Sequence, residues 1–331
     1  MSDNGTPRIC VFGAGAIGGY IAGQLARGGA AVSLVARGAH LAAIQARGLR
    51  VEAPDGLIEE RIAASDKPSD LGPQDVVFVT VKAPSLPAVA ASIAPLLGPA
   101  TPIVFLMNGI PWWYFHNSSG AENKPSIPQL DDLAAPWIAI GADRAIGGVI
   151  YAACTVTEPG TVHVASPGKG VILGEPGGET SGRVTMLAEA FRAGAVAVEI
   201  TSRIRDSIWI KVVNNLASGP MSILAQSAAK DLYDLPACLD AARRSREEAA
   251  AIALAMGCDI GAGADAHLAA FRKVNHKSSI VQDLERGRAM EIDALYSIPL
   301  EMARHLGIPT PTLDLLVGLV KLRARSAGLY P

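Results

Sequence analysis

The stretch Arg8-Ile-Cys-Val-Phe-Gly-Ala-Gly-Ala-Ile-Gly-Gly-Tyr20 is a short apolar run that breaks into glycine at positions 13, 15 and 18. It predicts a strand, a tight turn and a helix. Gly13 permits the turn, Gly15 leaves room for a pyrophosphate beside the backbone, and Gly18 lets the helix pack closely on its strand. The positive end of the helix would face the phosphates. The alternative is a glycine-rich turn without a ligand. The predicted dinucleotide-binding residues are Gly13, Ala14, Gly15, Ala16, Ile17 and Gly18.

The length and the order of the predicted elements indicate two domains. A chain of 331 residues that is 50% apolar can fill two cores. Up to residue 202, buried strands alternate with helices, as in a Rossmann-type parallel sheet. From residue 203 onward, long helices rich in alanine and leucine predominate. We therefore predict an α/β protein, with a Rossmann-type domain over residues 1–202 and an all-helical domain over residues 203–331.

Composition narrows the classes of partner. The chain has 29 basic and 31 acidic residues, which gives no electrostatic footprint for nucleic acid or an anionic membrane. The four cysteines are scattered and form neither a zinc pattern nor a disulfide framework, so no metal is predicted. No apolar run approaches the length of a membrane span. We expect a cytoplasmic protein that acts on a small molecule.

Three polar residues follow predicted strands, at the edge where parallel sheets bind ligands. Arg37 stands where an NAD-specific site carries an acid, and an arginine there suits the 2′-phosphate of NADPH. Lys82 follows the strand over residues 75–81 and could contact the cofactor phosphate or ribose. Asn108 follows the strand over residues 102–107, near the expected nicotinamide. A solvated arginine and a surface lysine are the alternatives for the first two.

Two further segments of the first domain have predicted roles or structures. Residues 110–140 form a long stretch without periodicity, and its adjacent aromatics at 112–115 suggest a lid or a contact between copies, hence a possible homodimer. Residues 160–164 and 170–174 resemble two paired strands at the far edge of the sheet.

Two clusters in the helical domain have residue types suited to proton transfer. Lys211 and Asn215 are four residues apart and share one face of a predicted helix that is otherwise nearly free of long charged side chains. Burial there would lower the pKa of the lysine, although a snorkelling surface lysine is the alternative. Ser278 or Ser279 would cap a short helix, and Glu291 would start the next one after a turn at Gly287; simple capping roles are the alternative for both.

Taken together, these blocks resemble the ketopantoate reductase (2-dehydropantoate 2-reductase) family. The resemblance rests on the glycines at 13–19, Asn108-Gly109, Trp209-x-Lys211-x-x-x-Asn215 and Ser278-Ser279 with Glu291-Ile-Asp293. It implies NADPH-dependent reduction of a 2-oxo acid to a 2-hydroxy acid, the step to pantoate on the way to coenzyme A, in a cleft between the two domains.

The resemblance also implies roles for single residues. Lys211 matches the general acid, Glu291 the carboxylate that orients it, and Asn108 the asparagine beside the nicotinamide. Asn215 and Ser279 match substrate contacts. Arg37 and Lys82 match positions near the adenosine phosphate of the cofactor.

Two departures from the family pattern bear on the substrate. The family has a second asparagine where this chain has Gly219, and the 110–140 segment is longer than the family norm. A related dehydrogenase of another 2-oxo acid or a 3-hydroxy acid, with a reshaped pocket, is therefore the alternative. A non-catalytic NADPH sensor is a further one.

Overall fold

The computed structural model describes residues 6–118, 125–261, 269 and 277–331. Residues 119–124 of the 110–140 segment lie outside these residues. The chain divides into two compact units, which we describe separately. The sheet unit comprises Met1–Met107, Trp113–Ala121 and Leu133–Ile204, and the helical unit comprises Asn108–Trp112, Glu122–Asp132 and Arg205–Pro331.

A ten-stranded, mostly parallel sheet forms the sheet unit. Along the main path the strand order is β4-β3-β9-β8-β7-β6-β1-β2-β5, and β10 pairs with β9. Only the pairs β3–β4 and β8–β9 are antiparallel among those described. The strands are β1 Arg8–Phe12, β2 Ala31–Val35, β3 Leu49–Ala53, β4 Gly56–Glu60, β5 Ala63–Ser65, β6 Val76–Val79, β7 Ile103–Phe105, β8 Ala145–Glu158, β9 Thr161–Gly174 and β10 Val198–Ile200.

Helices flank the sheet and build the second unit. The α-helices are α1 Ala16–Arg27, α2 Gly38–Arg47, α3 Leu86–Ala90, α4 Pro128–Ile140, α5 Gly182–Ala193, α6 Ile204–Ala225, α7 Ala229–Tyr233, α8 Pro236–Ala255, α9 Ser279–Glu285, α10 Ile298–His305 and α11 Pro311–Ser326. A five-residue π-helical segment, Asp293–Ser297, leads directly into α10. None of the described helices has the length and apolar character needed to cross a membrane.

The first strand–turn–helix forms as the glycine pattern predicts. The strand β1 lies between β2 and β6, and its residues 9–12 are buried on both faces of the sheet, which explains its continuous apolar sequence. Val11 and Ile21 belong to a large core that also includes Phe78 and Phe191, whose rings meet edge to face with centroids 5.4 Å apart. Burial of both strand faces therefore fixes the glycine turn at the carboxyl edge of the sheet.

The prediction of two paired strands at residues 160–164 and 170–174 is wrong. Residues 161–164 and 170–174 belong to one strand, β9, which pairs with β8 over most of its length and also contacts β3 and β10. The turn-like sequence between them forms an irregularity in the ladder, where Gly168 and Gly170 adopt positive φ of 61° and 80°. Turn-forming residues have produced a bulge here because both flanks find partners on the same neighbouring strand.

The stretch at 110–140 is also more regular than predicted, since its last part is the helix α4. Trp137 of this helix packs edge to face against Phe105, with ring centroids 4.9 Å apart. Its internal Pro136 obscured the helical pattern. Trp113 and Tyr114 are buried, which argues against an exposed aromatic contact between copies.

In the helical unit, α6 provides the central buried face. Trp209, Val213 and Leu216 are fully buried along it. A second cluster joins Met221 to Tyr233 of α7 and Ala242 of α8. The N-terminus of α11 is capped by Glu248 of α8, whose carboxylate accepts hydrogen bonds of 2.9 Å from two backbone N–H groups. The buried face and this cap fix the orientation of the residues on α6.

Candidate active site

The glycine turn of the sheet unit is held by backbone hydrogen bonds on both sides. Gly13 has a φ of +109°, and its N–H donates to the carbonyl of Val35 at the end of β2 over 3.0 Å. On the other side, the hydroxyl of Thr80 donates to the Gly13 carbonyl over 2.6 Å. Residue 80 follows β6, so the ends of three adjacent strands define the turn. Thr80 carries no motif signal and was missed in the sequence.

The turn fits a dinucleotide phosphate. A Cβ on Gly18 would overlap the Gly13 carbonyl and the Thr80 hydroxyl, so the close approach of α1 requires glycine there. A Cβ on Gly15 would meet no atom within 4 Å, which leaves the outer side of the turn open. No acidic residue lies in the first turn of α1, and no side chain caps it. The N–H groups and the positive helix end are therefore available to an anion.

Arg37 and Lys82 lie close in sequence to the strand ends that define this turn. Arg37 is exposed and is the N-cap residue of α2, two residues beyond the Val35 carbonyl that binds the turn. Lys82 is half-buried, two residues beyond Thr80. The backbone at residues 37 and 82 therefore follows two of the three strand ends that define the glycine turn.

The helical unit contains the predicted proton donor. Lys211 lies in α6, where the apolar residues around it form the core of the unit. Burial lowers the pKa of its ammonium group from 10.5 to about 8, and the negative charge of Glu291 partly opposes this shift. The lysine is therefore largely protonated at neutral pH and can release its proton readily.

Glu291 is itself buried and lies directly before a helical turn. The chain leaves α9 through Gly287, whose φ is +61°, and then re-enters helix at residue 292. The Glu291 carbonyl accepts the N–H of Leu295 over 3.1 Å, so the residue is fixed by the first turn of that helix. Reversal of the chain at Gly287 was predicted. The structure adds that the following turn is π-helical, a distortion that is frequent at functional sites.

Asn108 belongs to the same unit, where the residues that follow it contact the π-helical segment. The N–H of Ile110 donates to the carbonyl of Ala294 over 3.1 Å, in the π-helical segment three residues after Glu291. Gly109 has a φ of +82°, and a Cβ on it would overlap that carbonyl. Glycine is thus required at 109 because the chain must approach the turn that follows the buried carboxylate.

The remaining predicted residues lie on α6 and α9. Asn215 is half-buried and stands one turn beyond Lys211 on the same face. Ser279 is exposed and is the first residue of α9, while Ser278 is the N-cap residue. The Ser278 hydroxyl makes no capping hydrogen bond and has no partner within the described chain. The serine that was predicted to cap the helix therefore leaves its hydroxyl available.

Two residues of this unit have roles that the sequence did not predict. Tyr296 is fully buried in the π-helical segment, and its hydroxyl lies against Gly219 of α6. Asp293 accepts hydrogen bonds from Ser297 and from Tyr330, at 2.7 and 2.6 Å, which hold the segment in place. The only sequence signal for these roles is the position of each residue shortly after Glu291 in a predicted helix.

The part of the chain that is described contains no cluster of side chains that could hold a metal ion. All four cysteines are free thiols. Burial raises the pKa of Cys10 to about 12, so this thiol stays protonated and unreactive.

Models of known protein families match sequence from both units. The family model "Ketopantoate reductase PanE/ApbA" matches residues 9–177, and its C-terminal counterpart matches residues 203–324. A 2-dehydropantoate 2-reductase from Mesorhizobium japonicum is 44% identical over 98% of this chain and 99% of its own length.

Solved structures agree with the sequence matches. A Ralstonia solanacearum MolK2 protein assigned to the ketopantoate reductases superposes with a TM-score of 0.87 at 37% identity, covering 98% of this chain and all of that one. A PanE/ApbA family ketopantoate reductase from Ralstonia eutropha JMP134 gives 0.81 at 28% identity, covering 97% and 99%. The chain therefore belongs to the ketopantoate reductase PanE/ApbA family.

Proposed function

We propose that this protein catalyses the NADPH-dependent reduction of 2-dehydropantoate to pantoate, a precursor of pantothenate and coenzyme A. The observation that carries the proposal is Lys211, a half-buried lysine whose pKa is lowered to about 8 by desolvation, in the presence of the Glu291 carboxylate. A cofactor-binding protein without catalysis has no need of such a group. The glycine turn and Arg37 support binding of a phosphorylated dinucleotide.

In this reaction, residues of the helical unit supply the proton. When bound, NADPH supplies the hydride that adds to C2 of the 2-oxo acid. Hydride addition builds negative charge on the carbonyl oxygen, and the Lys211 ammonium stabilises that charge and transfers its proton to the oxygen. Glu291 keeps the lysine charged before the transfer, because a neighbouring anion favours the protonated amine. The product is the neutral hydroxyl of a 2-hydroxy acid.

Two further residues are proposed to position the substrate. Asn215 lies one helical turn from Lys211 and offers an amide to a polar group of the substrate. Ser279 starts α9, where its hydroxyl and the free N–H groups of the first helical turn suit a carboxylate. Asn108, held beside the turn that follows Glu291, is proposed to contact the carbonyl and the nicotinamide amide.

A second candidate is the reduction of another 2-oxo acid. One observation favours it, because residue 219 is glycine where the family has a second asparagine. The pocket therefore differs from that expected for the family. A cytoplasmic location and the absence of nucleic-acid partners stay predictions from composition.

The substrate is tested by steady-state NADPH oxidation with 2-dehydropantoate, pyruvate and 2-oxoisovalerate. We expect 2-dehydropantoate to give the highest kcat/KM. Lys211→Ala should lower kcat by about 100-fold to 10,000-fold and leave NADPH affinity unchanged, since it removes a general acid. Lys230→Ala, at an exposed position of α7, is the matched control. If 2-dehydropantoate is inert while NADPH binds, the second candidate replaces the first.

The lowered pKa of Lys211 predicts an alkaline limit to activity. Reduction requires the protonated lysine, so kcat/KM should fall with a midpoint near pH 8 as the amine loses its proton. Glu291→Gln removes a charge that raises this pKa, so the midpoint should move to lower pH. Glu301→Gln, whose carboxylate pairs with Arg304 in α10, should leave it in place. A midpoint that stays unchanged in Glu291→Gln would contradict the assigned coupling.

The role proposed for Arg37 predicts a change in cofactor preference. Arg37→Ala should weaken NADPH binding by roughly tenfold to hundredfold, because charge-assisted hydrogen bonds to the 2′-phosphate are lost. NADH binding should change little. Arg47→Ala, at the other end of α2, serves as the control. Dissociation constants from nucleotide fluorescence titrations measure both effects, and equal losses for the two cofactors would refute the assignment.

We also propose that the enzyme is a homodimer. Leu315, Leu319 and Leu322 are 42–64% exposed on one face of α11, an apolar stripe suited to a second copy. Light scattering should give twice the chain mass of 34.2 kDa. Leu319→Glu should convert the dimer to monomer, whereas Leu57→Glu, at an exposed position in β4, should not. A wild-type monomer would contradict the proposal.

A further inference from the structure

Gly219 and Tyr296 form a pair on the face of α6 that carries the proton donor. Lys211, Asn215 and Gly219 follow one another at intervals of four residues, so they line one side of the helix. A Cβ built on Gly219 would overlap the hydroxyl oxygen of Tyr296, and no other residue comes closer to that position. The tyrosine hydroxyl thus occupies the place from which a longer side chain at residue 219 would project.

The hydroxyl of Tyr296 is protonated over the whole working pH range. The side chain is 1% exposed, and both its burial and the negative charge of Glu291 raise the pKa of the phenol well above its usual value. A neutral phenol can both donate and accept a hydrogen bond. Tyr296 therefore presents a neutral polar group, not an anion, beside the carboxylate of Glu291.

This hydroxyl makes no hydrogen bond within the described part of the chain, unlike that of Tyr330, which donates to Asp293. A phenol that no described residue engages is able to pair with a bound molecule. Because the hydroxyl lies on the face that carries Lys211 and Asn215, the molecule that fits this position best is the substrate.

We propose that Tyr296 binds the terminal hydroxyl group of the substrate and so selects a 4-hydroxy-2-oxo acid. This inference rests on the proposed function. A substrate carboxylate fits the position less well, because the charge of Glu291, which already raises the pKa of Tyr296, would repel it. A neutral hydroxyl experiences no such repulsion and can pair with a phenol that donates or accepts. The residue acts as a specificity determinant and takes no part in proton transfer.

A matched pair of substrates tests the contact. The 2-dehydropantoate molecule and 3,3-dimethyl-2-oxobutanoate differ only in the terminal hydroxyl. Tyr296→Phe should lower kcat/KM for the hydroxylated substrate by roughly tenfold to hundredfold, because a buried polar group loses its partner, and should leave the value for the other nearly unchanged. Calorimetric titration with pantoate should show the same loss of affinity without turnover.

The controls separate this contact from general damage. Tyr233→Phe removes another buried phenol hydroxyl of the helical unit and should change neither the ratio of the two kcat/KM values nor pantoate affinity. Equal losses on both substrates in Tyr296→Phe, or no loss on either, would overturn the proposal. If wild-type protein binds NADPH and reduces neither substrate, the proposed substrate fails first, and the same pair of variants is then compared on other 2-oxo acids with and without a terminal hydroxyl.

A second variant tests the geometry itself. Gly219→Asn should disrupt the site, because its Cβ would overlap the Tyr296 hydroxyl. Combining it with Tyr296→Ala should restore selectivity for the hydroxylated substrate, since the amide then has room to replace the phenol. Non-additive effects in this double-mutant cycle are expected. Strict additivity would show that the two residues do not share one space.

Discussion

The partial removal of one ammonium group from water is the constraint on which the catalytic cluster depends. Lys211 is desolvated by the apolar residues of α6 and its neighbours, which favours its neutral form. Glu291 opposes this effect and keeps the proton on the lysine at neutral pH. The balance between the two produces an acid that is charged before reaction and releases its proton during it. Neither burial alone nor an exposed ion pair would give both properties.

The local structure follows from the need to hold this pair. Glu291 must be buried at a fixed place, so the chain reverses at Gly287 and enters a π-helical segment that is anchored by Asp293. The same segment receives the backbone that follows Asn108, and only glycine at 109 allows that approach. Holding the Glu291 carboxylate in one position thus fixes the conformation of residues that are far apart in sequence. The sheet unit meets a similar demand at Gly13 and Gly18, where close backbone approach leaves the turn open to phosphate.

The sequence predicted those features that depend on local pattern. Glycine spacing specified the turn after β1, and helical periodicity placed Lys211 and Asn215 on one face of α6. Patterns failed where tertiary pairing decided the outcome. Ser166-Pro-Gly-Lys-Gly has the composition of a turn, yet it lies within β9 because β8 pairs with both of its flanks. Tyr296 was missed because its role depends on a contact with Gly219, and no periodicity links the two residues.

A direct titration of the Lys211 side chain tests the central claim. Protein labelled with ¹³C at the lysine ε-carbon would be followed by NMR over pH 6–11, with the Lys211 signal assigned from its absence in Lys211→Arg. The account predicts a midpoint near 8, as burial beside Glu291 requires. A midpoint near the ordinary value of 10.5 would show that the lysine is solvated, and would contradict its assignment as the buried proton donor.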